Sequence, residues 1–197
     1  AHPPNISPRR VVQTDDQVLI AGFTIDGTVP KRILLRAIGP SRGDLGVADP
    51  LADPFLELHA SDQSTITTND NWKDSAPSDI DATGLAPSND LESAIVITLD
   101  PGQYTAIVRG KDGGTVVVLV DLYDLDESTE TELTNISTRG LVETESSVMV
   151  GGVGVGSGGG STHVLVRPHG PTRTPLRLPW PPAAAPRPGR ASRTRAS

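Results

Sequence analysis

The sequence predicts an all-β protein: an antiparallel β-sandwich, jelly-roll-like, of about eight strands with a disordered C-terminal tail. Twenty glycines and eighteen prolines in 197 residues indicate many turns and argue against long helices. Aromatic residues make up only 3% of the chain, so Val, Ile and Leu must fill the core, and β-branched residues favour strands. Short apolar runs separated by turn residues recur along the chain, which is typical of a sandwich.

The first three strands follow a proline-rich lead-in at residues 2–8, which predicts irregular structure. Residues 11–14 (VVQT) and 18–25 (VLIAGFTI) are strand-like and are joined by an Asp-Asp turn. The second of these runs is apolar on both faces, which favours a strand inside a sandwich. Residues 31–38 (KRILLRAI) follow an Asp-Gly turn and end at a Gly-Pro pair, so they form the third predicted strand.

Five more strands are predicted in the following stretch. Residues 55–60 (FLELHA) and 64–68 form a hairpin, with its tip at an Asp-Gln pair. Residues 91–99 (LESAIVITL) and 103–109 (QYTAIVR) are two strands joined by an Asp-Pro-Gly turn. Residues 115–123 (TVVVLVDLY) are the most β-prone run of the chain. No segment predicts a helix.

A long loop rich in carboxylates and amides lies between the hairpin and the strand at 91–99. Calcium takes six to eight oxygen ligands, and a loop that mixes Asp and Asn supplies them, although the spacing is not that of an EF-hand. The same side chains also pin loops by bonding to their own backbone, and the sequence leaves both interpretations open. The candidate calcium ligands are Asn69, Asp70, Asn71, Asp74, Asp90 and Glu92.

Two further residues are candidates for ligand binding. Trp72 either presents an aromatic face to a sugar ring or anchors the loop to the sheet in a chain with few aromatic residues. His59 lies two residues after Glu57, which places both side chains on one face of the strand. They could form half of an acid/base pair, or His59 could be an ordinary packed or surface residue. No catalytic residue is assigned, because the G-x-S-x-G and H-E-x-x-H signatures of hydrolases are missing from the sequence.

The charge distribution bears on partners. The net charge of -7 combines an acidic body of -14 up to residue 162 with a basic end of +7. An acidic body repels nucleic acid, and the arginine-rich end lacks interleaved aromatic residues, so no nucleic-acid partner is expected. No apolar run reaches the roughly 18 residues of a membrane span. The chain has no cysteine, so disulfides do not indicate its compartment, while a start at Ala1 is what a processed secreted protein or a trimmed chain would show.

The chain contains an internal repeat. The segment NISPRRVVQTDDQVLIAGF from Asn5 matches NISTRGLVETESSVMVGGV from Asn135, at an offset of 130 residues. With one residue inserted, ILLRAIGPS at 33–41 then matches VLVRPHGPT at 164–172. A second copy therefore begins near Asn135. Its strands have open edges, so they are predicted to pair onto the first module or onto another chain.

The repeat defines three predicted segments: a complete module at 1–134, a truncated second copy at 135–172, and a Pro/Arg-rich tail at 173–197. The composition of the tail predicts disorder. Because the match to the first copy stops where the composition changes, our hypothesis is that the tail is an out-of-frame translation of GC-rich DNA. A shift of one base in the coding DNA should then restore a sequence like GVADPLADPFLELH; the alternative is a natural disordered linker.

Six segments carry a family resemblance: NIS-x-R-x-x-V, KRILLRAIGPS, LADPFLELH, NDNW, ATGLAPSNDLESAIV and PGQYTAIVRG. Together they resemble a repeated β-sandwich module of large secreted or surface proteins of environmental bacteria, over residues 5–126 and again from Asn135. The order of an LELH strand, an acidic loop and a PGQYTAIVRG strand is also similar to the bacterial pre-peptidase C-terminal domains, which are accessory modules of secreted hydrolases. The resemblance implies a non-catalytic module for spacing, adhesion or targeting.

These observations predict a structural or binding module of a secreted or cell-surface bacterial protein, stabilised by calcium. Its expected partners are neighbouring repeat modules or another copy of the chain, and a surface polysaccharide. The alternative is a calcium-dependent hydrolase that acts on an ester, lactone or glycan through the loop carboxylates.

Overall fold

The structure is a computed structural model that describes residues 5–12, 18–47, 49–111, 116–126, 130–139, 150–154 and 164–168. The chain divides into two units, Ala1–Gly160 and Ser161–Ser197. Of the second unit, residues 164–168 are described, and they have no regular secondary structure. The predicted tail at 173–197 lies outside the described residues.

The described residues of the first unit form two five-stranded antiparallel sheets, which confirms the all-β sandwich. The first sheet has the order β10-β1-β8-β3-β6 and the second has the order β5-β4-β7-β2-β9. The strands are β1 Asn5–Val12, β2 Leu19–Gly27, β3 Lys31–Ile38, β4 Pro54–Ala60, β5 Thr65–Asn69, β6 Ser93–Leu99, β7 Gly102–Gly110, β8 Val116–Asp124, β9 Thr131–Arg139 and β10 Val150–Gly154.

The helical elements are short. A 3-10 helix at Pro40–Leu45 follows β3, and a second one at Trp72–Asp74 lies in the acidic loop. One α-helix, α1, spans Pro77–Asp81 in the same loop. The expectation that no segment is helical was therefore wrong for one turn, because Pro77 at its start provides a backbone angle suited to a first helical turn. Among the described residues, no helix has the length and apolar character to cross a membrane.

The prediction of an irregular lead-in at 2–8 was wrong for residues 5–8, since β1 begins at Asn5, while residues 2–4 lie outside the described residues. The ladder between β1 and β8 pairs Ile6 with Leu122 and next Arg9 with Leu119, so it skips the position of Pro8. Proline cannot donate a backbone hydrogen bond, and strands accept it where the ladder is interrupted. Pairing with β8 on one side and β10 on the other holds this segment extended, which local composition does not reveal.

The core lies between the two sheets and is almost entirely aliphatic. In β2, alternate residues from Leu19 to Ile25 point inward and are buried, and their neighbours on the other face are partly exposed. The only stacked aromatic pair among the described residues is Phe23 with Tyr104, whose ring centroids are 5.5 Å apart. A second, smaller cluster lies on the opposite face of the first sheet, beneath the acidic loop.

Candidate functional site: the acidic loop on the first sheet

The acidic loop, residues 70–92, covers the outer face of the first sheet. Leu34, Ala94 and Tyr123 alternate with core residues along β3, β6 and β8, and they face Trp72 and Ile80 of the loop. This packing explains why Leu34, on the face of β3 that points away from the main core, is fully buried.

Trp72 anchors the loop. Its side chain is 6% exposed, its indole Nε1 donates to Asn89 O at 3.2 Å, and its backbone N donates to Glu92 O at 2.8 Å. Of the two roles that the sequence left open for Trp72, the structure places it in the anchoring position. A buried ring offers no free face to a sugar.

Glu92 is fully buried and ties the loop to the 3-10 helix after β3. Its Oε1 accepts hydrogen bonds from Ser41 N at 3.1 Å and Ser41 Oγ at 2.5 Å, and its Oε2 accepts one from Asn89 N at 3.3 Å. A buried carboxylate is tolerated only when its oxygens are hydrogen-bonded. Both Glu92 oxygens are thus used in holding the loop.

Asn69 joins the start of the loop to its end. The Oδ1 atom of Asn69 accepts from Ala94 N at 2.8 Å, and its Nδ2 donates to Asn71 O at 3.0 Å. Next to it, Ser93 Oγ donates to Asp70 O at 2.7 Å and also contacts Pro54 O. These bonds satisfy the polar groups at the point where both ends of the loop enter the sheet.

Asp70 and Asn71 differ from the other predicted ligands in one respect. Asp70 Oδ2 forms an ion pair with Lys111 Nζ at 2.6 Å, and Asn71 Nδ2 donates to Asp74 Oδ2 at 3.2 Å. However, Asp70 Oδ1 and Asn71 Oδ1 are buried and have no hydrogen-bond partner. An unpaired buried oxygen is costly, and it is the kind of atom that a water or a cation satisfies.

Asp90 lies at the solvent. Its Oδ1 is 2.5 Å from Lys73 Nζ, and the two side chains are 70% and 50% exposed, so the pair contributes little to stability. The six predicted ligands are therefore spread over the loop, and each side chain has at least one partner within the protein, although the Asp70 Oδ1 and Asn71 Oδ1 atoms have none. In the part of the chain that the structure describes, no three His, Asp or Glu side chains form a group that could hold a metal ion.

Arg36 is a site residue that the sequence analysis missed. Its guanidinium donates to Leu85 O, Asp121 Oδ2 and Tyr123 Oη, each at 2.6 Å, and its Cζ lies 4.8 Å from the centroid of the Tyr123 ring. Burial raises the pKa of Tyr123, and the Asp121 carboxylate raises it further. The sequence feature that could have identified this site is the position of Arg36 within the apolar strand KRILLRAI, because an arginine buried there needs an anionic partner.

A shallow cleft of about 210 Å³ opens beside Arg36. Two carboxylates line it, Glu92 and Asp121, and they are already bonded to Ser41 and Arg36, respectively. The Ser41 hydroxyl, which also lines the cleft, donates its hydrogen bond to Glu92 Oε1. The cleft lies where the acidic loop meets the first sheet, and neither Asp70 nor Asp90 lines it.

His59 lies on the outer face of the second sheet. Its Nε2 is 3.0 Å from Glu57 Oε2 and its Nδ1 is 3.2 Å from Gln63 O, while Glu57 Oε1 is 2.5 Å from the Arg109 guanidinium. Burial raises the pKa of Glu57, but the hydrogen bonds and charges of His59 and Arg109 outweigh it, so this pKa lies below its usual value. A carboxylate held ionised in this way does not suit a general acid.

His59 and the acidic loop occupy opposite ends of the β4–β5 hairpin. Leu56 pairs with Asn69 at the loop end, whereas His59 pairs with Thr65 near the hairpin tip. Three residues along a strand separate the two positions by about 10 Å. The structure therefore does not bring His59 together with Asp70 or Asp90.

Comparisons of the chain with protein-family models, with curated proteins and with solved structures found no match.

Proposed function

We propose that this chain is a non-catalytic structural module of a secreted or surface multidomain bacterial protein. The observation that carries the proposal is how the acidic loop uses its side chains. Trp72, Asn69 and Glu92 are buried and bonded to the loop or to the sheet, so the loop works as a covering layer of the sandwich. A loop whose polar groups are satisfied internally stabilises a fold and leaves few of them for a substrate.

The hydrolase alternative needs two or three of its candidate groups at one place. General acid/base catalysis requires groups within hydrogen-bond reach of the same substrate atom, about 3 Å or one water away. Asp90 is an exposed partner of Lys73, and His59 lies at the other end of the hairpin from Asp70. This separation supports the structural module over the enzyme.

The proposal is tested by assaying the full chain against a panel of esters, lactones and glycans with millimolar calcium present. We expect no turnover above background. Turnover that is lost in Asp70→Asn or Asp90→Asn, and kept in the matched variant Asp62→Asn at the hairpin tip, would establish a hydrolase that uses the loop. Asp62 is a fair control because its carboxylate bonds only locally, to Ser64.

Calcium stabilisation is a second proposal, and two atoms favour it: the buried, unpartnered Asp70 Oδ1 and Asn71 Oδ1. A ligand that binds only the native state raises its stability by about 2.7 kcal/mol at a hundred times its Kd. A thermal melt of metal-stripped protein is therefore expected to shift upward with millimolar calcium, and Asp70→Asn should abolish the shift. Equal melting temperatures with calcium, with magnesium and without metal would leave the loop as a hydrogen-bonded layer alone.

A further inference from the structure

The first two strands of the first copy, β1 and β2, do not pair with each other. The strand β1, which carries the NIS segment, lies in the first sheet between β8 and β10. The strand β2 lies in the second sheet between β7 and β9. Because the chain crosses from one sheet to the other between them, each strand has one side that another segment must cover.

The second copy of the repeat supplies both covering strands. The strand β9 contains Asn135, Ile136 and Ser137, the second NIS segment, and it pairs with β2. The strand β10 corresponds to residues 20–24 at the repeat offset, and it pairs with β1. The NIS strand of each copy thus lies against the second strand of the other copy.

The two pairings have the same register. In one, Gly22 is opposite Ser137 and Ile20 is opposite Arg139; in the other, Gly152 is opposite Ser7 and Val150 is opposite Arg9. At the 130-residue offset these are the same residue pairs with the copies exchanged. Residue i of one copy meets residue j of the other and the reverse, which is the relation found in a two-fold symmetric interface.

The contacts of β9 show that this pairing is part of the sandwich. Ile136 and Leu133 pack against the main core, and Thr131 is buried, with its Oγ1 donating to Val29 O at 2.8 Å and accepting from Val29 N at 3.2 Å. A Cβ placed on Gly22 would lie 3.0 Å from Ser137 Oγ, so a glycine opposite a serine brings these strands close.

We propose that copies of this repeat are joined by reciprocal strand exchange, in which the NIS strand of each copy pairs with the second strand of the other. The partner of this surface is therefore a second copy of the same module, here the one that begins near Asn135. The predicted module boundary at 134/135 falls inside β9, whose NIS segment belongs by sequence to the second copy and pairs with β2 of the first. The proposal rests on the structural-module function.

Paired cysteines in the full chain test the exchange, since the protein has none of its own. Residues opposite each other on antiparallel strands have Cα atoms about 4.5–5.5 Å apart, within the range of a disulfide. Gly22→Cys with Ser137→Cys and Ser7→Cys with Gly152→Cys are expected to oxidise within one chain. Intact mass lower by two hydrogens, loss of reactive thiol and peptide mapping would report the bond.

The decisive variant is Ser7→Cys with Gly22→Cys, which would be opposite each other if each copy closed its own hairpin in the same register. We expect it to stay reduced, as we expect for Gly22→Cys with Asn135→Cys, a pair displaced by two residues on the same face. Oxidation of the 7/22 pair within one chain, or no oxidation of the 22/137 and 7/152 pairs, would overturn the exchange. Disulfides that join two chains at positions 22/137 and 7/152 would also support the exchange, and the second copy would then come from another molecule.

Circular dichroism of each reduced variant shows that it is folded before oxidation. The outcome is independent of the activity panel. Hydrolysis together with the expected disulfides would reject the proposed function and keep the exchange. Absence of hydrolysis with a 7/22 disulfide would keep the function and reject the exchange.

Discussion

Glu92 is the residue whose removal best tests whether the acidic loop is a structural layer. It is fully buried and accepts hydrogen bonds from Ser41 N, Ser41 Oγ and Asn89 N. In Glu92→Ala the Ser41 hydroxyl can rotate to another acceptor, but the two backbone N–H groups lose theirs. Each unsatisfied buried donor costs about 1–3 kcal/mol, so two of them cost about 2–6 kcal/mol. Because Ser41 and Asn89 are only partly buried, we expect a loss in free energy of unfolding in the lower half of this range, about 2–4 kcal/mol.

The isosteric variant Glu92→Gln separates shape from charge. Its amide keeps one oxygen for Ser41 and turns a donor toward Asn89 N, so about one hydrogen bond is lost, worth about 1 kcal/mol. We therefore expect the order of stability wild type, Glu92→Gln, Glu92→Ala in urea unfolding, with unchanged m-values.

The fluorescence of Trp72 gives a local measurement for the same variants. Trp72 N bonds to Glu92 O, and the sequence has one other tryptophan, Trp180, so a Trp180→Phe background leaves Trp72 as the sole reporter. Glu92→Ala is expected to shift the emission of Trp72 to longer wavelength before global unfolding. A stability within about 0.5 kcal/mol of wild type, with unshifted emission, would refute the role of Glu92 as the tie of the loop.

The remaining predictions concern a buried ion pair, a surface carboxylate and the ninth strand. Lys31 Nζ is 2.8 Å from Asp124 Oδ2, and both groups are buried. Lys31→Met leaves the Asp124 carboxylate unpaired and is expected to lower the free energy of unfolding by about 3–5 kcal/mol in urea, and adding Asp124→Leu should recover most of this loss. A double variant as unstable as Lys31→Met would contradict this prediction. Because the pKa of Glu57 is lowered in the folded state, its stabilisation is present above the ordinary glutamate pKa of about 4.3 and is lost as pH falls through the lower folded value. Glu57→Gln should thus flatten the acid decline of stability, and identical pH profiles would refute the ion pair's role. Ile136→Ala is expected to cost about 1–2 kcal/mol because this side chain packs partly buried on the core, while Thr134→Ala on the exposed face of β9 should change little; equal effects would show that β9 does not pack as described.

Much of the fold was predictable because strand formation depends on local pattern. The apolar run VLIAGFTI predicted β2, and the Asp-Gly and Pro-Gly pairs mark the ends of strands. Both faces of this run are apolar in the sequence, so only the structure separates buried Leu19, Phe23 and Ile25 from their partly exposed neighbours. The exception was Asn5–Val12, where Pro8 argued against a strand and pairing on both sides held it. Local preference yields to pairing of this kind because each ladder bond satisfies a backbone group.

The candidate site was predictable only in composition. The sequence identified the acidic loop and the anchoring role open to Trp72, and it predicted that strands of the second copy pair onto the first module or another chain. It did not separate the exposed Asp90 from the buried Glu92, because burial depends on which side chain meets Ser41 and Asn89 after the loop has folded over the sheet.

The sequence by itself determined the strand class, the turns, the aliphatic core and the repeat of 130 residues, since each is written in local composition and spacing. Only the tertiary structure decided where the carboxylates lie and which strand covers which edge. Asn135–Arg139 carries the same pattern as Asn5–Arg9, yet the two segments lie in different sheets. The physical reason is that a strand edge pairs with whichever complementary edge the assembled sheets leave open, and that is a property of the whole sandwich.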